Sequence, residues 1–256
     1  MFKAIQQFEQ VSDDTILWRY MHLNRLESLL DTSSIFFAKV TTYYDDDPFE
    51  GNYNKISEDN YKKWMLTDLP SETLETIGEI EKEKVLNHLE TSLYIAKKER
   101  ERVLVNCWHI NNYESVAMWK LYSNYENGIT IRTTFGKLKE SFKDYKPNIY
   151  GGKIRYIDIK KDRISFGNTF EPFAVKRISF FHENELRLLI RVEDNVNWST
   201  EKFANGILVN CDLNLLIESI CLSPKCSDDF KSRVQEMIDE KGLEVKVNKS
   251  DLNDIY

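Results

Sequence analysis

An α+β fold is what the sequence predicts, and three observations predict it. Strand-length runs rich in Val, Ile, Leu, Tyr and Phe recur along the chain, and charged stretches of helical period lie between them. No Gly/Ser/Pro linker and no internal repeat divides the sequence. With 41% hydrophobic and 30% charged residues in 256, the chain can bury a sizeable core. Nine Gly, five Pro and 12% aromatics exclude collagen-like and low-complexity classes. The simplest organisation is one domain over residues 1–256 with a helical insertion at about 57–103.

Residues 15–22, Thr-Ile-Leu-Trp-Arg-Tyr-Met-His, read as a strand, after which Asn24 offers an N-cap to a short helix over Arg25–Leu30. A second strand follows at Ser34–Lys39. Thr41–Gly51 is dense in turn formers and has no sustained period, which predicts a loop. In the insertion, Ser71 is a candidate cap, and Leu74, Ile77, Val85, Leu89, Leu93 and Ala96 fall on one face. A break near Gly78 to Glu83 predicts two helices instead of one rod. Strands are then expected at Val103–Trp108, Ile129–Thr133, Lys153–Ile157, Leu186–Val192 and Gly206–Asn210, with a helix containing Val116, Met118, Trp119 and Tyr122. The chain closes as strand (Ser219–Ser223), helix and strand (Leu243–Val247). Ser227 caps that helix, Asp228 and Asp229 sit in its first turn, and Gly242 stops it.

Thirty-five Lys+Arg against 42 Asp+Glu give a formal net charge of −7. An acidic balance works against strong sequence-independent nucleic-acid binding, which depends on displacing counterions with a basic face. The densest basic runs, Lys97–Arg102 and Lys160–Arg163, both contain acids and read as solvated faces. No apolar run approaches the roughly 20 residues of a membrane-spanning helix, and the N-terminus lacks the features of a signal peptide, so a cytoplasmic location with no membrane partner is expected. Cys107, Cys211, Cys221 and Cys226 are then expected as free thiols.

No Walker loop, dinucleotide fingerprint, HExxH or paired CxxC occurs. Scattered Cys and His do not provide two close pairs for zinc, so no metal is expected. The segment from Phe180 to Arg187 carries more information. Glu183, Glu185 and Arg187 alternate, so in an extended chain all three project from one face at the mouth of an apolar strand. Three charges there are costly to bury unless they pair with one another or serve a site. The loop Asp45–Gly51 holds Asp47, Phe49 and Glu50 beside a rigid turn, a composition suited to bordering that same site. Aromatic residues flank these positions, among them Trp18, Tyr20, Tyr43, Trp119 and Tyr122.

Leu17-Trp18-Arg19-Tyr20, Asp47-Pro48-Phe49-Glu50-Gly51, Cys107-Trp108, Met118-Trp119, Gly128-Ile129 and Glu183-Asn184-Glu185-Leu186-Arg187 together resemble a widespread bacterial family of unknown function. Its members share these blocks in this order, from about Leu17 to the last strand. The order is also similar to that of ADP-ribosyltransferases, which place an Arg or His on an early strand to hold NAD and a Glu-x-Glu at the start of a later one. Cys107-Trp108-His109 stands where those enzymes carry a Ser/Thr-rich stretch. The second resemblance implies a mixed, largely antiparallel split sheet, NAD as substrate, and a role in bacterial conflict or phage defence. It implies Glu185 as the catalytic carboxylate, Glu183 positioning an acceptor of unknown identity and Arg187 orienting the pair. Arg19 and Tyr20 would bind NAD, and Trp119 or Tyr122 would stack a ring. The alternatives are a non-catalytic recognition module, in which Arg19, Glu183, Glu185 and Arg187 form a structural ion network, and a metal-dependent nuclease using the acidic loop.

Overall fold

The computed structural model describes residues 2–67, 79–123, 125–166, 168–192 and 205–253. The apolar runs assemble into one ten-stranded mixed sheet and a two-stranded one. In chain order the strands are β1 (Phe2–Lys3), β2 (Ile16–His22), β3 (Ser34–Lys39), β4 (Val103–Ile110), β5 (Gly128–Thr134), β6 (Ile149–Lys153), β7 (Arg155–Ile157), β8 (Val175–Arg177), β9 (Glu185–Arg191), β10 (Gly206–Asn210), β11 (Ser219–Leu222) and β12 (Lys246–Lys249). The large sheet runs β1-β6-β9-β4-β2-β5-β11-β12, and β3 joins β4 to β10. Among the described residues, only β1–β6 and β11–β12 pair in parallel within it. The helices are α1 (Leu23–Thr32), α2 (Lys55–Thr67), α3 (Glu79–Glu99), α4 (Val116–Tyr122), α5 (Phe135–Glu140), α6 (Leu213–Leu216) and α7 (Asp228–Glu240).

Side-chain alternation divides the sheet into two faces. Leu186, Leu188 and Ile190 of β9 join Leu17, Met21, Leu104, Trp108, Ile131 and Ile220 in the main core, which α1, α5, α6 and α7 cover. The opposite face holds two smaller clusters. Leu189, Val103, Val105 and Phe173 form one, and Trp18, Tyr20, Met118, Trp119 and Cys221 form the other beneath α4. Glu185 and Arg187 share the parity of Leu189, so they point to this second face.

Several local expectations shift, each for a structural reason. His22, not Asn24, is the N-cap of α1, because the chain turns directly from strand to helix, and no side chain caps the first N–H groups. The run at 153–157 divides at Ile154. Its N–H donates to the Glu185 carbonyl, the next N–H donates to Ala174, and the chain thereby leaves β9 to pair with β8. The last strand begins at Lys246 because Leu243 is still tied to the helix end, its N–H donating to Ile238 O past Gly242 at φ 64°. Among the described residues the insertion contains two helices, α2 and α3, with Leu89 buried, and α3 runs without a break through Glu79 to Glu83. Ser71, Leu74, Ile77 and Gly78 lie outside the described residues.

Gly206 opens β10 at φ 148°, and a Cβ there would run into the Phe37 carbonyl and the Phe36 ring. Its bare backbone lets β10 close against β3. Gly206→Ala is expected to lower unfolding stability by about 2 kcal/mol or more, read as a lower urea midpoint at unchanged m-value.

Candidate functional site

The sheet splits at β4. One edge of that strand pairs with β9 throughout, but the other pairs with β3 only at Leu104–Val105 and with β2 only at His109–Ile110. Between these contacts the backbone of residues 106–108 has no ladder partner on that edge. Buried polar groups must be satisfied, and side chains do it here. Arg19 Nη1 donates to the Cys107 carbonyl at 2.5 Å, and Asn106 Nδ2 donates to Phe36 O at 2.9 Å. Asn106 also accepts from Trp108 Nε1 at 2.7 Å, and the Arg19 guanidinium lies 5.7 Å from the Trp108 ring centre.

Where β2 and β3 diverge, a cleft of about 990 Å³ opens, walled by Arg19, Tyr20, Arg25, Phe36, Tyr43 and Tyr122 among others. In a chain of net charge −7, the described residues lining this cleft include two arginines and a histidine, His22, and no carboxylate. The remaining Arg19 N–H groups and the Tyr43 hydroxyl have no partner among the described residues. Burial lowers the Arg19 pKa and raises that of Tyr43. Such a surface favours an anionic ligand with a flat ring.

Behind the cleft wall lies an ion network. Arg187, 1% exposed, donates Nε and Nη2 to the two Glu185 oxygens at 2.6 and 3.2 Å. Its Nη1 reaches both Glu50 Oε1 and the Phe173 carbonyl. Lys176 bridges Glu185, at 3.3 Å, and Glu183. The second Glu183 oxygen accepts from the Tyr122 hydroxyl at 2.6 Å. His109 Nδ1 lies 2.6 Å from the Glu183 carbonyl oxygen, and the Glu185 N–H donates to Tyr156 OH. One loop further out, Arg177 pairs with Asp47 at 2.6 Å, and Asp47 Oδ1 accepts from the Phe49 N–H.

Three carboxylates, Glu50, Glu183 and Glu185, are bonded to Arg187 and Lys176, and the buried Arg100 adds a third positive charge near Glu50. Glu185 is buried, yet Arg187 and Lys176 hold its pKa well below the ordinary carboxylate range. Glu183 shares its lysine with Glu185. Burial, with the Glu185 charge adding to it, raises the Glu183 pKa. Two neighbouring carboxyl groups pushed in opposite directions are the usual arrangement of an acid–base pair. Burial and Glu183 both raise the Tyr122 pKa, keeping that phenol protonated as the donor.

Arg19, Tyr20 and Tyr122 line the cleft, while Glu183, Glu185 and Arg187 lie behind its wall. The alternation that placed those three on one extended face does not hold. Residues 178–183 form a 3-10 turn and Asn184 takes a left-handed φ of 37°, so Glu183 reaches the others through Lys176. The second glutamate on Arg187 is Glu50, which comes from the loop and not from its own strand. Trp119 is fully buried, and its indole N–H donates to Glu114, so it has no face for a ligand. Tyr20 offers its ring edge only, its hydroxyl accepting from the Ser115 N–H. Phe49 is half-buried instead of a deep anchor. Asp47 and Glu50 of the loop pair with Arg177 and Arg187, while Asp45 and Asp46 are exposed. Lys176 and Arg25 were missed because neither stands in a sequence pattern that separates it from a solvated cation.

Breaking a buried ion pair strands its partner. Glu50→Ala is therefore expected to cost about 3–5 kcal/mol in urea unfolding. The pH dependence separates the two site carboxylates. Glu185, with its pKa depressed, contributes stability that is complete above the ordinary glutamate value of about 4.3 and is lost in acid. Glu183, with its pKa raised, contributes stability that is complete below that value and is lost as pH rises. Glu183→Gln is thus expected to gain stability relative to the parent as pH rises above about 4.3, and a constant difference would contradict the raised pKa. No protein-family model and no curated protein sequence matches the chain, so any function must be argued from this geometry.

Proposed function

We propose that the chain cleaves the nicotinamide–ribose bond of NAD, as an ADP-ribosyltransferase-like or NAD glycohydrolase-like enzyme of the bacterial defence type. The observation that carries this reading is the cationic cleft at the sheet split, with Tyr122 in its wall and Glu183 bonded to it from behind. Arg19 and Arg25 would hold the pyrophosphate, since guanidinium forks suit phosphate oxygens. Tyr43 and Phe36 would flank a ring. As nicotinamide leaves with the bonding electrons, the ribose gains oxocarbenium character, which nearby negative charge stabilises. The acceptor attacks the anomeric carbon and its proton passes through the Tyr122 hydroxyl to ionised Glu183. Glu185 and Arg187 act at one remove, by holding Lys176 against Glu183. These roles differ from those implied by the resemblance, which gave the catalytic position to Glu185.

A second reading has its own support. Arg187 is closed in by Glu185 and Glu50, as a structural network in a non-catalytic recognition module would require.

Incubation with NAD labelled in the ADP-ribose and nicotinamide moieties separates the two. Enzymatic action gives nicotinamide release, with kcat rising with pH as Glu183 ionises. Glu183→Gln and Tyr122→Phe are expected to lower kcat by about 100-fold or more. Arg19→Ala should act chiefly on KM. No release by the parent protein at saturating NAD would favour the recognition module.

A further inference from the structure

The helical insertion carries a second feature, built from residues other than those lining the cleft. Tyr53, Phe166, Tyr61 and Trp64 form a continuous ladder of near-parallel rings. Successive centroids lie 3.9, 4.3 and 5.8 Å apart, with interplanar angles of 9°, 17° and 26°. Trp64, the last ring of the ladder among the described residues, is 55% exposed. Beside it runs a groove of about 580 Å³, bordered by Lys63 and Arg163.

This groove is held in place by buried hydrogen bonds. Asn54 Nδ2 donates to the carbonyls of Ile159 and Asp162, both at 2.8 Å, and Ser57 Oγ accepts from the Ile164 N–H at 2.7 Å. The basic run Lys160–Arg163 is thereby pinned against the start of α2. The acids in and beside it are engaged locally: Asp162 accepts from the Asp158 N–H, and Asp158 holds Lys161 and the Lys160 N–H. Lys62, Lys63, Lys160 and Arg163 are left exposed, without ion pairs among the described residues.

We infer that this surface binds single-stranded nucleic acid, one unpaired base stacking on the ladder at Trp64 while Lys63 and Arg163 take the flanking phosphates. A π-face alone would suit many ligands, and cations alone would suit any polyanion. A rigid ring stack flanked by unpaired cations matches a chain that alternates flat bases with phosphates. Duplex hides its base faces and would not use the ladder. The reading does not rest on NAD chemistry.

The test is fluorescence anisotropy of a labelled oligonucleotide of about 12 nucleotides, titrated with the whole protein, against the same sequence as duplex and with adenosine monophosphate as competitor. The single strand should bind more tightly than the duplex, and affinity should fall between about 50 and 200 mM salt. Trp64→Ala should weaken binding about tenfold while Trp64→Phe retains most of it. Lys63→Glu with Arg163→Glu should abolish the salt dependence. These side chains are exposed, so unchanged thermal melting checks that the fold survives. The inference is overturned by absence of binding, by equal affinity for duplex, by Trp64→Ala binding as the parent does, or by the mononucleotide competing as well as the oligomer. Nicotinamide release in the same variants reports separately on the cleft.

Discussion

A guanidinium almost wholly removed from water at Arg187 obliges its surroundings to supply both charge and hydrogen-bond acceptors. Glu185 comes from the same strand, Glu50 from a loop 137 residues earlier in sequence, and Phe173 O from the turn before β8. Four donor contacts thus join three distant segments at one point. A chain of contacts on the second face of the sheet starts from that point. Lys176 bridges Glu185 and Glu183, and Tyr122 closes the chain of contacts at the cleft wall.

The carboxylates of the network differ in how closely a cation holds them. Glu185 and Glu50 each have a close arginine and are held ionised in structural pairs, so disturbing either strands a buried charge. Glu183 is the one whose charge is least compensated, and it also contacts a residue facing open space. Burial raises its pKa, and its hydrogen bond from Tyr122 links it to the cleft wall.

The cleft itself follows from an incomplete ladder. Two strands compete for one edge of β4 and each takes only an end of it, which leaves a stretch of backbone to be satisfied from the side. Arg19 does this with one N–H and faces the cleft with others. A structural need of the split sheet therefore produces a cationic cleft in an acidic protein. The aromatic ladder on the insertion follows a different logic, since its rings stack on one another and present the last of them to solvent.

The α+β class was legible from the chain because side-chain period is a local property. Leu186, Leu188 and Ile190 alternate with Glu185, Arg187 and Leu189, and that alternation alone assigns each to a face. The capped helix from Asp228 to Glu240 was legible for the same reason, its signals lying within one turn of each end. Glu183, Glu185, Arg187 and the loop at Asp47–Glu50 stood out as charges that an apolar neighbourhood must justify. What they pair with could not be read, because ion pairing is settled by distance in space. Glu50 meets Arg187, Arg177 meets Asp47, and Lys176 stands between two glutamates only after the strands have chosen their neighbours. Trp119 likewise had the composition of a ligand platform, and only packing against Tyr20 and Met118 made it core. Local periodicity determined the elements and the charges to be explained. Tertiary structure alone decided which charges were neutralised, because burial and separation set electrostatic energy and neither is written in residue order.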